Sequence, residues 1–314
     1  MRINNPTISL VIPVYGVRDY IAEFAESVFG QSYPHLQFIF VNDGSKDDTM
    51  QVLDSVIKNR YPCLQDRIVI VNKENQGLPA ARKTGMDYVT GDYVYHVDPD
   101  DWLSPDSLAR VAEKIQESGS DIVYFHYVKE YSDRSSVKRE KVYAAADREK
   151  YVRNMYNHRA FGTLCNKCIR ISLYRDNNIH FPKYSYAEDC YQTVQLAGYA
   201  SSLSLLDEVV YHYRKNNPHS ITRQNRRRRK EEYAMNFLDL YEKYRDMPAD
   251  KNPVSVIFDD ILIQAAWYSI RYRLDLFRRY PYLAEAASKA RIRTGSDVLI
   301  PFQLLAKLVA FFRR

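Results

Sequence analysis

No apolar run in this chain approaches the roughly 18–20 residues that a membrane span requires. The nearest candidate, PFQLLAKLVAFFRR at residues 301–314, is too short and is interrupted by Lys307. The chain is therefore expected not to cross a membrane by itself. Cysteine is scarce, with four in 314 residues. Cys165 and Cys168 form a C-x-x-C pair, but no second pair and no histidines at finger-like spacing accompany it, which argues against zinc. With no secretory leader before residue 10, a reducing cytoplasm is the default compartment. Two phosphate-binding signatures are also missing. The chain has no G-x-x-x-x-G-K-[ST] loop and no G-x-G-x-x-G after its first apolar run, so neither a P-loop nor a standard dinucleotide site is expected.

What is present is ordinary in bulk and uneven in detail. Hydrophobic residues make up 46% and charged residues 27%, as in a folded soluble protein with a sizeable core. The 27 tyrosines offer flat apolar area with a polar tip, suited to sugars or interfaces, although a compositional habit explains them equally well. The net charge of +6 is not shared along the chain. Residues 1–223 are nearly neutral, whereas residues 224–314 carry 18 Lys and Arg against 11 Asp and Glu. This basic region, with RRRRK at 226–230, suits an acidic partner such as an anionic membrane surface. A helical subdomain packed on the rest of the chain or on a dimer partner fits it as well. No nucleic-acid motif accompanies it.

The first half alternates. TISLVIPVY (7–15), LQFIFVND (36–43), RIVIVNK (67–73), DYVYHVD (92–98) and DIVYFHYV (121–128) read as buried strands. Between them, residues 18–31, 48–59, 78–90 and 105–118 have helical spacing. The pattern predicts an α/β domain of the doubly wound kind, with a mostly parallel sheet flanked by helices. From residue 129 the rhythm breaks into a polar hairpin or loop, helices at 147–157 and 185–200, and two short strands over 202–214. Helices are expected at 226–246, 253–273, 281–292 and 301–313.

Ligands of open parallel sheets bind at the carboxyl ends of the strands. The fourth strand there runs into Asp98, Asp100, Asp101 and Asp106. Ser104 or Asp106 can cap the following helix, but Asp98 and Asp100 lie too early for that. A D-x-D pair at such an end suits a hard divalent cation that bridges carboxylates to substrate phosphates.

Several segments together resemble the family 2 glycosyltransferases of the GT-A fold: SLVIPVYG, FVNDGSKDDT, NQGLPAARKTGMDYVTGDYV and HVDPDDWL, in that order. CNKCIRISLYRDNNIHFP followed by YAEDCYQTV is similar to the part that carries the family's catalytic carboxylate. VVYHYRKNNPHSIT is similar to its closing segment. The resemblance covers about residues 6–223, leaving 224–314 as a helical C-terminal extension. It departs at Gly16, where Asn is usual, and at Asn42, where Asp is common.

The resemblance implies an inverting transferase that uses a nucleotide sugar, with UDP favoured, and Mn2+ or Mg2+. Pro13 and Tyr15 would shape the base pocket, and Asp43 would contact the base. Asn75 and Gly77 would line the crevice, and Arg82 would approach the diphosphate or hold the acidic loop. Asp98 would meet ribose or metal, Asp100 would bind metal, and Asp101 is counted with the nucleotide-sugar contacts. Asp189, or its neighbour Glu188, matches the general base, although a helix dipole also favours acids there. Arg214 and Arg223 are expected phosphate contacts, in one segment with His212, His219 and Ser220. Lys167 falls in the pattern without a definable role, and Trp102 is expected to pack under the metal loop. The implied acceptor is a glycan or a lipid-diphosphate-linked sugar of a bacterial surface polysaccharide. The implied setting is the cytoplasm, at the inner face of the membrane, with homo-oligomerisation open. A sugar nucleotidyltransferase and a non-catalytic module of the same fold are the rival readings.

Overall fold

The computed structural model describes residues 4–218, 225–289, 291–293 and 299–301. The apolar runs form the strands expected of them: β1 (Ile8–Val14), β2 (Leu36–Asn42), β3 (Ile68–Asn72) and β4 (Tyr93–His96). Helices α1 (Arg18–Phe29), α2 (Thr49–Arg60) and α3 (Leu78–Met86) connect them. Strand β5 (Trp102–Leu103) and helix α4 (Ser107–Ser118) follow the acidic loop. Beyond these lie β6 (Ile122–Glu130), β7 (Ser135–Lys138), α5 (Arg148–Tyr156), β8 (Lys167–Arg170), α6 (Ile171–Asp176), α7 (Glu188–Tyr199) and β9 (Leu203–Arg214).

These nine strands make one sheet in the order β3-β2-β1-β4-β8-β6-β9-β5, with β7 on the side of β6. Strands β1 to β4, β6 and β9 run the same way, so the sheet is mostly parallel. Strand β8 inserts antiparallel between β4 and β6. The two short strands expected over 202–214 are one strand, β9, which keeps pairing with β6 across two register shifts near His126.

Strand periodicity divides the core. Leu10, Ile12 and Val14 of β1 pack with α1, α2 and α4 on one face, and Val11 points to the other. On that second face Gly85 lets α3 lie close to the sheet. A Cβ there would stand 2.5 Å from Val11 Cγ1. This contact sets the height of Arg82, one turn earlier on α3.

Helix α4 starts differently from expectation. Asp106 has φ of 54° and its side chain caps nothing, while Ser104 Oγ donates to the Val209 carbonyl. The first turn is instead held by Gln31, whose Oε1 accepts from Leu108 N at 3.0 Å.

The basic region forms α8 (Arg226–Tyr244), α9 (Phe258–Tyr272), α10 (Leu276–Arg279) and α11 (Tyr282–Lys289). The helix expected over 281–292 stops early, because residues 291–293 are a strand. Tyr233, Phe237 and Leu240 of α8 share one apolar cluster with Tyr151, Tyr156 and Tyr191 of α5 and α7. The cationic run is tied into this packing. Arg228 pairs with Glu232, Arg227 donates to the Arg273 carbonyl, Arg229 lies over Tyr186, and Lys230 donates to Tyr268. Among the described residues no helix is long and apolar enough to cross a membrane. Arg223, His219, Ser220 and residues 302–313 of the helix expected at 301–313 lie outside the described residues, and Pro301, its first position, ends a short strand.

Candidate active site

The carboxyl ends of β1 to β4 open into a cavity of about 660 Å³. Pro13 and Tyr15 continue β1 into its wall, and Tyr15 is half exposed. Asp43 follows β2 and is buried. Its carboxylate accepts from Lys73 Nζ at 2.7 Å, Gly77 N at 2.8 Å and Gln76 N at 3.0 Å, so it folds the loop after β3 into place. Gly77, at φ of 88°, supplies the left-handed turn into α3, and with Asn75 it lines the same wall.

Opposite stand the carboxylates. Asp98, Asp100, Glu188 and Asp189 all line the cavity. Arg82 is the hub behind them, with 1% of its side chain exposed. Its Nη2 donates to Asp98 at 2.8 Å, and its Nη1 donates to Glu188 at 3.0 Å and also to Asp189. Of the two places offered for Arg82, the structure gives the one at the acidic loop, and its guanidinium does not reach the crevice. Three carboxylates around one guanidinium, with Asp100 beside them, leave the site with excess negative charge. Burial, with the charges of Asp189 and Asp100, therefore pushes Asp98 up to about 6 against the pull of Arg82. Burial and Asp189 push Glu188 up as well.

Two residues expected at the nucleotide sugar turn elsewhere. Asp101 is 1% exposed, with its carboxylate accepting from the Tyr211 hydroxyl and from Arg214 N at 2.7 Å, so it anchors the loop from inside and does not face the ligand space. Arg214 is engaged in the same task. Its Nε donates to the Asp100 carbonyl at 2.9 Å, its Nη2 to Glu23 at 2.6 Å, and its guanidinium covers Trp102. Trp102 in turn stacks on His212, under the acidic loop as expected.

Several supports have roles that the sequence leaves undefined, Lys167 among them. Asn217 Nδ2 donates to Asp100 Oδ2 at 2.7 Å; it lies inside the closing segment that raised attention, between Arg214 and His219. Lys167 is buried and donates to the Phe161 and Thr163 carbonyls and to Asn166, which holds a cavity-lining loop, and burial pulls it down to about 8. The loop before α7 is held from the basic region. Glu232 accepts from Tyr186 N at 3.2 Å, and Asn236 bonds Tyr184 N and the carbonyls of Tyr184 and Tyr186. Ala187 then enters the helix at φ of 63°, placing Glu188 and Asp189 in its first turn. No such role is readable from a helix whose sequence looks merely basic. Cys165 and Cys168 are free, buried thiols, and burial raises both.

Comparison with known proteins gives a consistent result. Residues 9–177 match the sequence model described as Glycosyl transferase family 2. EpsH of Bacillus subtilis, named as a glycosyltransferase, is 27% identical over 215 residues, spanning 67% of this chain and 61% of that protein. The glycosyltransferase GlyA of Streptococcus pneumoniae is 34% identical over 120 residues, 38% of this chain and 16% of that one. The chain thus spans about three fifths of the length of EpsH and a small part of GlyA. Among solved structures, S. aureus TarS 1-349 in complex with UDP-GlcNAc superposes with a TM-score of 0.64 at 19% identity, covering 98% of this chain and 91% of that one. The mannosyltransferase PcManGT from Pyrobaculum calidifontis, in complex with GDP-Man and Mn2+, gives 0.56 at 18% identity, covering 98% and 81%. These two likenesses establish the fold.

Proposed function

We propose, from the premise that this chain belongs to glycosyl transferase family 2, that it moves a sugar from a nucleotide sugar, UDP-linked by preference, onto a hydroxyl of a bacterial surface glycan or its lipid-linked precursor, with inversion. The observation that carries this reading is the Arg82 hub, which gathers Asp98, Glu188 and Asp189 from two distant segments on one side of a cavity.

In this reading Pro13, Tyr15, Asn75 and Gly77 hold the base and ribose, and Asp43 keeps its loop in shape while offering a remaining lone pair to the base. Asp189 takes the proton of the acceptor hydroxyl as that oxygen attacks the anomeric carbon. Arg82 is a positioning residue: it fixes the base and ties it to the loop that receives the leaving group. Asp98 and Asp100 fit a divalent cation such as Mn2+ or Mg2+, because their surroundings hold more negative charge than Arg82 compensates. Among the described residues no group of three His, Cys, Asp or Glu forms a complete metal set, so diphosphate and water would supply the other ligands. Held by Asp98 and Asp100, such a cation would supply Lewis-acid stabilisation of the departing diphosphate. Attachment to the inner face of a membrane rests on the positive charge of residues 224–314 alone, since the described cations of α8 have partners within the protein.

The test is a calorimetric panel of UDP, GDP, dTDP and CMP, with and without Mn2+, on the wild type and on Asp100→Ala. Metal-dependent UDP binding that is lost in the variant is the expected result. Absence of binding by all four nucleotides would overturn the proposal.

A further inference from the structure

The acidic loop is splinted from the end of β9. Asp98 N donates to the Tyr211 hydroxyl at 3.3 Å, and that hydroxyl donates to Asp101. Arg214 N donates to Asp101 Oδ1 at 2.7 Å, and Arg214 Nε to the Asp100 carbonyl at 2.9 Å. Lys215 N donates to the Glu130 carbonyl at 2.8 Å, so the backbone stays on β6 one residue past the strand. Asn217 follows. It is 6% exposed, and its Nδ2 donates to Asp100 Oδ2 at 2.7 Å.

The two carboxylates that fit a cation are thus each held by one oxygen. Arg82 takes Asp98 Oδ1, and Asn217 takes Asp100 Oδ2. Among the described residues nothing donates to Asp98 Oδ2 or to Asp100 Oδ1, and both aspartates line the cavity. The two holders differ in charge. Arg82 compensates part of the negative charge around it, whereas the Asn217 amide carries none. The guanidinium of Arg214, which reaches the Asp100 carbonyl, is itself paired with Glu23 at 2.6 Å. A hydrogen bond from a neutral donor fixes a carboxylate ligand and leaves its charge for the ion. Such bonds to ligand carboxylates tune metal affinity as strongly as many ligands do.

We propose that Asn217 is a positioning residue for the divalent cation: by donating to Oδ2 it fixes the Asp100 carboxylate with Oδ1 left for a hard ion, and as a neutral donor it does so without competing for the site. The inference rests on the reading of Asp98 and Asp100 as cation ligands and adds a group that acts through Asp100. Two consequences follow from the geometry. Removing the amide loosens Asp100 and weakens the hold on the ion, while the base pocket at the ends of β1, β2 and β3 keeps its shape. Placing a cation at position 217 puts a fixed positive charge where the ion would bind.

The test titrates Mn2+ into the full chain in saturating UDP, with free Mn2+ read by electron paramagnetic resonance. Wild type is compared with Asn217→Ala, Asn217→Leu, Asn217→Lys and Asp100→Ala. UDP binding in EDTA is measured by calorimetry beside it, and urea midpoints are recorded for every variant. Asn217→Ala and Asn217→Leu are expected to bind Mn2+ about tenfold more weakly than wild type, with UDP affinity in EDTA unchanged. Leucine keeps the side-chain volume, so agreement of the two variants assigns the effect to the lost donor. Asn217→Lys should lose more Mn2+ affinity than either, and retained affinity in that variant would overturn the charge argument. A parallel fall in Mn2+ affinity, UDP affinity in EDTA and urea midpoint would overturn the inference, by reducing Asn217 to a general support of the fold. Unchanged Mn2+ affinity in the alanine and leucine variants would overturn it as well. So would tighter Mn2+ binding, because the amide would then be a competitor of the ion for Asp100. Equal Mn2+ uptake by wild type and Asp100→Ala is a different result, which removes the underlying cation reading and this one with it.

Discussion

Replacing Arg82 with methionine keeps much of the side-chain volume and removes the single cation that Asp98, Glu188 and Asp189 share. Breaking a buried ion pair from one side costs about 3–5 kcal/mol, because the partner charges stay buried without compensation. The cost depends on pH in a direction the site fixes. A carboxyl whose pKa is raised on folding binds more protons in the folded state, so stability falls as pH rises through the raised interval. For Asp98 that interval runs from 3.8 to about 6, and Glu188 is raised well above its ordinary value too. Without Arg82 both should rise further, which steepens the loss of stability above the interval. Urea unfolding of wild type and Arg82→Met at about pH 5 and about pH 7.5 should therefore give the larger difference at the higher pH. Arg82→Lys should fall between the two, since an ammonium cannot fork across three carboxylates. In transfer assays Arg82→Met should lower kcat more than it weakens nucleotide binding, because Arg82 fixes the base and does not touch the donor. A difference below about 1 kcal/mol, or one equal at both pH values, would refute the account of Arg82 as the counter-ion of the site.

Asp100→Ala and Asp101→Asn, neighbours in the chain, should separate: the first should abolish metal-dependent binding with little change in urea midpoint, while the second should lower both by disrupting the Tyr211 and Arg214 bonds. Asn236→Ala on α8 releases the loop before α7; kcat should fall severalfold at unchanged UDP affinity, read by steady-state kinetics beside calorimetry. Gly85→Val forces a side chain into Val11 and should destabilise by about 1–3 kcal/mol in urea unfolding, without a specific effect on nucleotide affinity in the folded fraction.

The parallel half of the sheet was legible because each of its strands is a near-continuous apolar run closed by turn residues, as Ile8–Val14 and Leu36–Asn42 illustrate. Strand β8 was not. It has four residues, with Lys167 and Arg170 at its ends, and its place between β4 and β6 is set by tertiary pairing that local pattern does not encode. The single strand β9 looked like two because Asp207 and Glu208 interrupt its apolar pattern where its pairing with β6 shifts register. In sequence, Ser104 or Asp106 can cap helix α4, because both are good capping types. Its cap comes from Gln31, more than 70 positions away.

The same distinction runs through the site. A motif names residue types that occur together but not which way each one faces. Asp100 and Asp101 are adjacent in an acidic loop that turns back on itself, with Asp101 N donating to the Asp98 carbonyl at 3.2 Å, and their side chains point apart. One therefore lines the cavity and the other meets Tyr211 inside the protein. Arg82 and Arg214 have the charge expected of phosphate ligands, yet each is surrounded by protein acceptors, and each sits where two segments far apart in sequence must be joined. Arginine suits that position because its fork can serve several oxygens at once. The basic composition of the C-terminal region misleads for a related reason. Its charges suggest a surface, whereas Glu232 and Asn236, unremarked in a cationic helix, hold the loop that delivers Glu188 and Asp189. Removal of α8 is thus expected to disable the catalytic end of α7 whether or not any membrane is present, because the site extends through that helix.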